Sequence, residues 1–441
     1  MIEAATEHRN YDQAPSIKAK RTSLRLRAFT FIGLLLFTGA LQRVVGGGNS
    51  LEGSVSGTVL QQSNPAIAIF GMLIYASAAA ILVIRTKNVV IPKSMYPLLL
   101  LNGWAILTAL WSGDPSRSLL RSAGLSGCSL FAIYMINMLP RDEILRQIVN
   151  VAVFLVWVTA VLAVAAPSYS FHNSSEFFSI HSGLLKGTFE HKNTLAKVLA
   201  YSVICLIGLG PMYIRNKALW IATVFAAVYL MTLTGSAKTF ATVPLALAAG
   251  TVLMVVKKPT VRAWILGMSA IVWIGADTLG LMDQLFGIVL NSLDRDPTLS
   301  ARTLIWSSAL ATATQIHPFI GGGYEVAWQG GIGRAVQSAI GIDPSHAHNG
   351  YIMVYIELGL VGFLILLYAL WKITSRLITT MPGENSRIYF FIGSWVVLFI
   401  GNNLSGSYLT QPGDIYWLQI LLTPVTIDWV SKPNSKKSDL L

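Results

Sequence analysis

Runs of about twenty apolar residues, separated by short polar breaks, recur along the whole chain; this is the length a hydrocarbon core about 30 Å thick requires. The pattern predicts spans near 28–45, 65–84, 96–111, 118–139, 148–166, 194–213, 217–234, 238–256, 261–280, 348–371, 387–403 and 413–430. A membrane β-barrel needs ten-residue segments of strict alternation, and these runs do not alternate. The expected fold is therefore all-α, a polytopic membrane protein with about twelve transmembrane helices. Between the spans lie a basic tail (1–27), two longer loops (167–193 and 281–347) and a short C-terminal tail (431–441). The first thirty residues do not read as a cleavable signal, because the polar stretch before Phe29 is too long.

Composition agrees with the pattern. Of 441 residues 54% are hydrophobic and 12% charged, against roughly 25% charged in soluble domains. The two cysteines, Cys128 and Cys205, fall in apolar segments and suggest neither a disulfide framework nor a metal site.

A net charge of +12 invites a nucleic-acid partner, but its distribution argues against one. With the N-terminus placed in the cytoplasm, roughly two-thirds of all Lys and Arg fall on that side, the positive-inside bias. Twelve spans then put both termini inside, and all histidines except His8 outside. Arg302, Lys186, Lys192, Lys197 and Lys238 share that outer side.

The outer loops hold the candidate chemistry. His191, Lys192 and Asn193 precede one span, where they are placed to hold sugar hydroxyls or phosphate. Lys197 lies further in, where a cation costs about 2–3 kcal/mol unless it snorkels or faces a cavity. The turn 234–239 offers glycine, hydroxyls and Lys238 at a helix start, the makings of an anion nest. In the long loop, Ser300 suits an N-cap. The segment that follows has an apolar face of Leu304, Ile305, Trp306, Ala309, Leu310 and Ala313, fit for the membrane surface. Arg302 stands in its first turn, opposed by the helix dipole, so a phosphate partner suits it. His317-Pro318 ends the segment, and Gly321–Gly323 with Tyr324 and Glu325 forms a turn.

Ser345-His346-Ala347-His348-Asn349-Gly350-Tyr351 then runs into an apolar span, with a helix expected to start near His348. A helix N-terminus favours anions and keeps a nearby imidazole neutral, able to accept a proton. In one continuous helix His346 would share a face with Glu357 and His348 would oppose it, so no His348–Glu357 dyad is expected. Gly359 and Gly362 suit close helix packing. A zinc site at His346 and His348 lacks a third ligand at helical spacing.

These pieces, Thr188–Asn193, Thr234–Lys238, Ser300–Trp306, His317–Gly323, and His346–Tyr351 running into Glu357–Gly362, resemble in order and spacing the O-antigen ligase and polysaccharide polymerase superfamily. Within it they are most similar to bacterial exopolysaccharide polymerases of the succinoglycan type. The resemblance implies a multi-span (GT-C-like), metal-independent glycosyltransferase with no cofactor, acting at the periplasmic face of the inner membrane. The implied donor is a glycan on undecaprenyl diphosphate. The acceptor is a hydroxyl of the growing polysaccharide, or of lipid A-core in a ligase. Membrane lipids are further partners, as are candidate chain-length regulators and export proteins.

Carried over by residue, the resemblance implies that His348 is the general base or the group that orients the acceptor, and that Arg302 pairs with the diphosphate and stabilises it as leaving group. Lys238, His191, Lys192, Asn193, His346, Asn349, Ser300 and Tyr324 are the substrate-binding candidates. The family often has arginine at the position of Lys238, so the bidentate grip is lost there while the charge stays. The rival readings are a lipid-linked glycan transporter and an export scaffold. A transporter would place polar groups at the midplane and often shows repeated halves; here the polar groups sit at the outer rim and no internal repeat is found. A scaffold would leave the loop motifs without a role.

Overall fold

The computed structural model describes residues 22–45, 65–173, 181–278, 298–341, 344–381, 385–404 and 406–431. Among them the chain is all-helical, without a named strand; the one β-bridge joins Phe171 to Leu185. The basic tail up to residue 21, residues 46–64, residues 174–180 and 279–297 in the two long loops, and residues 432–441 lie outside the described residues.

A helix overlies each of the twelve predicted segments. They are α1 (Leu24–Thr38), α2 (Pro65–Arg85), α3 (Tyr96–Leu107), α4 (Pro115–Met138), α5 (Arg141–Ala165), α6 (Lys192–Gly208), α7 (Lys217–Leu233), α8 (Ala237–Val255) and α9 (Pro259–Thr278). After the long loop come α12 (Gly350–Thr379), α13 (Ser386–Asn402) and α14 (Ile415–Ser431). The loop itself carries α10 (Thr298–Ile316) and α11 (Gly333–Ile340). Five helices are long and apolar enough to cross a membrane by length and composition: α2, α4, α5, α12 and Lys238–Val255 of α8.

Burial follows helical periodicity. In α2 the buried positions Ile67, Gly71, Ile74, Ala78 and Leu82 form one stripe, while Leu73, Val83 and Ile84 face outward. Apolar side chains on an outward face cost little only against an apolar surrounding, which fits a bilayer. The innermost helices are α6, α13 and α14. Trp395, Phe399, Tyr416 and Trp417 are fully buried among them, with Trp395 edge-on to Tyr416 at 4.7 Å. Glycine lets α8 and α13 approach closely, since a Cβ at Gly250 would lie 2.1 Å from Ser394 Oγ.

Three sequence expectations change. The helix begins at Gly350, capped by Asn349, so neither histidine lies within it and no shared face of His346 and Glu357 exists. Gly359 does more than allow close packing: at φ 68° and ψ −172° it breaks α12. The freed amides find acceptors in the segment after α10: Leu360 N–H donates to Pro318 O and Val361 N–H to Phe319 O, both at 3.0 Å. In return Gly322 N–H donates to Ile356 O at 3.0 Å and Gly323 N–H to Glu357 O at 3.1 Å. A helix break at this depth is tolerated because protein satisfies it. Finally, α10 is already helical at Thr298, so Ser300 stands inside it rather than at its cap; the Ser300 side chain lies outside the described residues. Its buried face is narrower than expected: Ile305, Ala309 and Ala313 are buried, whereas Leu304 points outward. That face packs against α11 and α12.

Candidate active site

The histidine loop is held from several sides. Trp306 of α10 donates its indole N–H to Ala347 O at 2.7 Å, and Trp328 donates its own to Pro344 O at 2.9 Å. Gly350 N–H donates to Asn403 O at 2.8 Å, tying the start of α12 to the turn after α13. Asn349 Oδ1 accepts from Tyr351 N–H at 2.9 Å and Ile352 N–H at 3.2 Å, and its Nδ2 donates to Leu404 O at 3.1 Å. Asn349 is thus spent as a helix cap and a tie, which keeps the anion-attracting helix start in place.

Pinned this way, His348 adopts φ +52°, rare for a residue with a Cβ. Such backbone persists only where its surroundings over-determine it, and it clusters at functional sites. The backbone N–H of His348 donates to His346 Nδ1 at 2.9 Å, and the two rings lie 4.1 Å apart between centroids. Ser407 Oγ is 3.4 Å from the same His346 nitrogen. An accepting Nδ1 places the His346 proton on Nε2.

Cations surround the pair. Burial holds His348 well below the ordinary histidine range, and His346, Arg302, Lys238 and His191 lower it further. His346 is pushed down to about 4, by burial first and then by Arg302 and Lys238. Two neutral imidazoles within the field of an arginine and a lysine result, the set needed to accept a proton beside an anion. Residues 191, 238, 302, 346 and 348, distant in sequence, are brought within electrostatic reach of one another.

His191 caps α6, its Nδ1 accepting from Asn193 N–H at 3.1 Å. Asn193 itself is exposed. Burial, then His181, His172, Lys192 and His346, hold His191 well below the ordinary range. His172, His181 and His191 pack edge to face with ring centroids 5.2 to 5.9 Å apart, and His172 Nε2 accepts from Lys192 N–H. Among the described residues no group of three His, Cys, Asp or Glu is arranged to hold a metal ion. Tyr324 does not join the histidines: it is fully buried, with its hydroxyl donating to Thr410 O and its N–H to Thr108 Oγ1. Beside it Glu325 sits in a left-handed backbone (φ +57°), its carboxyl raised by burial against the pull of Arg121 and Arg117. An apolar groove of about 530 Å³ between α2, α3 and α4 is lined by none of the candidate residues.

The turn 402–414 supplies a side of the site that the sequence reading missed. Lys238 Nζ donates to Asn402 O and lies 5.1 Å from the centre of the Tyr408 ring. Lys197 Nζ lies 4.4 Å from that ring and pairs with Asp414, both side chains buried. The cost expected for Lys197 is thus met by a carboxylate from the start of α14. The available signal was Asp414 itself, an acid at the mouth of an apolar run.

Residues 221–367 match the family model described as O-antigen ligase. That stretch contains Lys238, Arg302, His346 and His348 but neither His191 nor Tyr408. The chain is also 24% identical over 330 residues to the exopolysaccharide production protein ExoQ of Rhizobium meliloti (strain 1021), covering 67% of this chain and 69% of that protein. The resemblance read from the motifs is thereby matched by a family model and by a relative.

Proposed function

We propose, with that family match as premise, that the protein polymerises lipid-linked oligosaccharide repeat units into an exopolysaccharide at the periplasmic face of the inner membrane. The donor is a glycan on undecaprenyl diphosphate. The acceptor hydroxyl oxygen attacks the anomeric carbon and gives its proton to His348. The bond from that carbon to the diphosphate oxygen breaks, and the electron pair leaves with the diphosphate. Arg302 and Lys238 offset the charge that grows there. His346 orients His348 through the bond from its backbone N–H, and His191 and Lys192 line the same side. The single observation that carries the reading is the His346–His348 pair, ring centroids 4.1 Å apart with His348 held at φ +52°, lying in the field of Arg302 and Lys238. No step draws on a metal or a cofactor.

Twelve crossings with both termini in the cytoplasm put this site outside, where lipid-linked glycans are polymerised. A phosphatase fused within 281–347 is expected to be active, and an inactive fusion would contradict this orientation. The decisive experiment supplies purified protein with lipid-linked repeat units and sizes the products. Long chains mark a polymerase. The second reading, a ligase, is favoured by the description of the matching family; it requires a single transfer to lipid A-core.

A further inference from the structure

Lysine is a poor fixed point for an anion, because its ammonium rides on four rotatable bonds and lacks the planar fork of arginine. Lys238 is nevertheless confined. Its Nζ donates to Asn402 O, and the face of Tyr408 lies 5.1 Å away. A Cβ on Gly406 would come within 2.7 Å of that Nζ, so glycine leaves the space the ammonium occupies.

The ring is itself held. Tyr408 N–H donates to Asn403 Oδ1 at 2.7 Å. Its other cation, Lys197, is 4.4 Å from the ring centre and is paired with Asp414. Two bare ammonium groups sharing one ring would repel each other. Asp414 offsets the charge of Lys197, so the ring can serve both. Asp414 is fixed in turn, because its Oδ1 accepts from Tyr416 N–H at 2.7 Å at the start of α14. The hydroxyl of Tyr408 stays protonated, pushed up to about 12 by burial and Asp414 against the pull of Arg302.

We infer that Tyr408 is a positioning residue whose ring face holds Lys238 against the phosphate-binding side of the site, with the Lys197–Asp414 pair as its backing. The inference rests on the glycan-transfer reading and deepens it: donor affinity depends on a residue outside the stretch 221–367 that matches the family.

The test is a double-mutant cycle on the full-length protein in detergent. Tyr408→Phe keeps the ring face and is expected to stay within about twofold of wild type. Tyr408→Leu and Tyr408→Met remove it and are expected to raise KM for the lipid-linked donor about tenfold, with a smaller change in kcat. In a Lys238→Met background the same changes at Tyr408 should add less than about twofold, because the partner they act through is gone. Independent, multiplying effects of the two sites, or Tyr408→Phe as damaging as Tyr408→Leu, would overturn the inference. Affinity for inorganic pyrophosphate, measured by calorimetry, repeats the cycle without relying on turnover. An active wild type indifferent to Tyr408→Leu sinks this inference alone, whereas a wild type that makes no glycan product from lipid-linked repeat units sinks the transfer reading.

Discussion

Gly321 and Gly359 meet backbone to backbone. A Cβ on Gly321 would lie 2.5 Å from Gly359 N, and one on Gly359 would lie 2.4 Å from Gly321 N. Both residues hold positive φ, +74° and +68°. The ψ of −172° at Gly359 belongs to a region that only glycine enters readily. Gly359→Ala and Gly321→Ala are each expected to cost about 1–3 kcal/mol from the backbone alone, with the clash added. The check is the melting temperature in detergent, which should fall for both; an unchanged value would show that the break relaxes freely.

Transfer should depend on His348 and Arg302 separately from folding. His348→Ala and Arg302→Ala are expected to reach the membrane at wild-type levels and to lose polymer by at least about a hundredfold. Polymer of wild-type amount from either variant removes its residue from the mechanism. Lys238→Arg is expected to remain active, since the position needs a cation; loss of activity there would show that length and shape decide.

The pH dependence carries a sign. A base must be neutral, so the acidic limb of kcat/KM follows His348, which burial, His346 and the cations Arg302 and Lys238 hold well below the ordinary histidine range. Activity should therefore be level through neutrality and fall only in acid. Removing a cation raises the imidazole pKa, so Lys238→Met should move that limb toward neutral pH. A limb that stays in place, or moves toward acid, contradicts the arrangement.

Stability should respond to acid through the same groups. An unfolded chain takes up protons on histidine near pH 6.5, while folded His346 resists until about 4. The unfolded state thus binds more protons between those values, and stability falls as pH drops from 6.5 toward 4. His191 and His348, lowered in the same direction, add to the slope. Melting temperatures measured across this range should decline more gently in His346→Gln.

The Lys197–Asp414 pair offers a test by addition. Asp414→Asn strands a buried ammonium and is expected to cost about 3–5 kcal/mol. The double change Lys197→Met with Asp414→Leu removes both charges and should cost less. Thermal unfolding of the single and double variants decides between a pair that matters as a pair and two independent residues.

The helices were legible because a repeated run of apolar residues has one common solution in a bilayer. The twelve segments and their helices differ mostly at the ends, as with the start at Gly350, where Asn349 takes the cap. His346, His348, Arg302, Lys238 and His191 were legible as chemistry, because polar and charged groups stood where an apolar chain makes them conspicuous. What stayed hidden was who meets whom. Asn349 reads as a ligand until its side chain is seen spent on Tyr351, Ile352 and Leu404. Tyr324 reads as part of a glycine turn until it is found buried against Thr410. Tyr408 and Asp414 carry no motif, and only the packing of α14 against its neighbours brings them to Lys238 and Lys197.

The ties from Asn403 O to Gly350 and from Leu404 O to Asn349 have a consequence for biogenesis. Every residue of the histidine motif is synthesised before those two carbonyls exist. A chain that has emerged only as far as His348 therefore lacks the acceptors for Gly350 N–H and Asn349 Nδ2, and the turn after α13 supplies both.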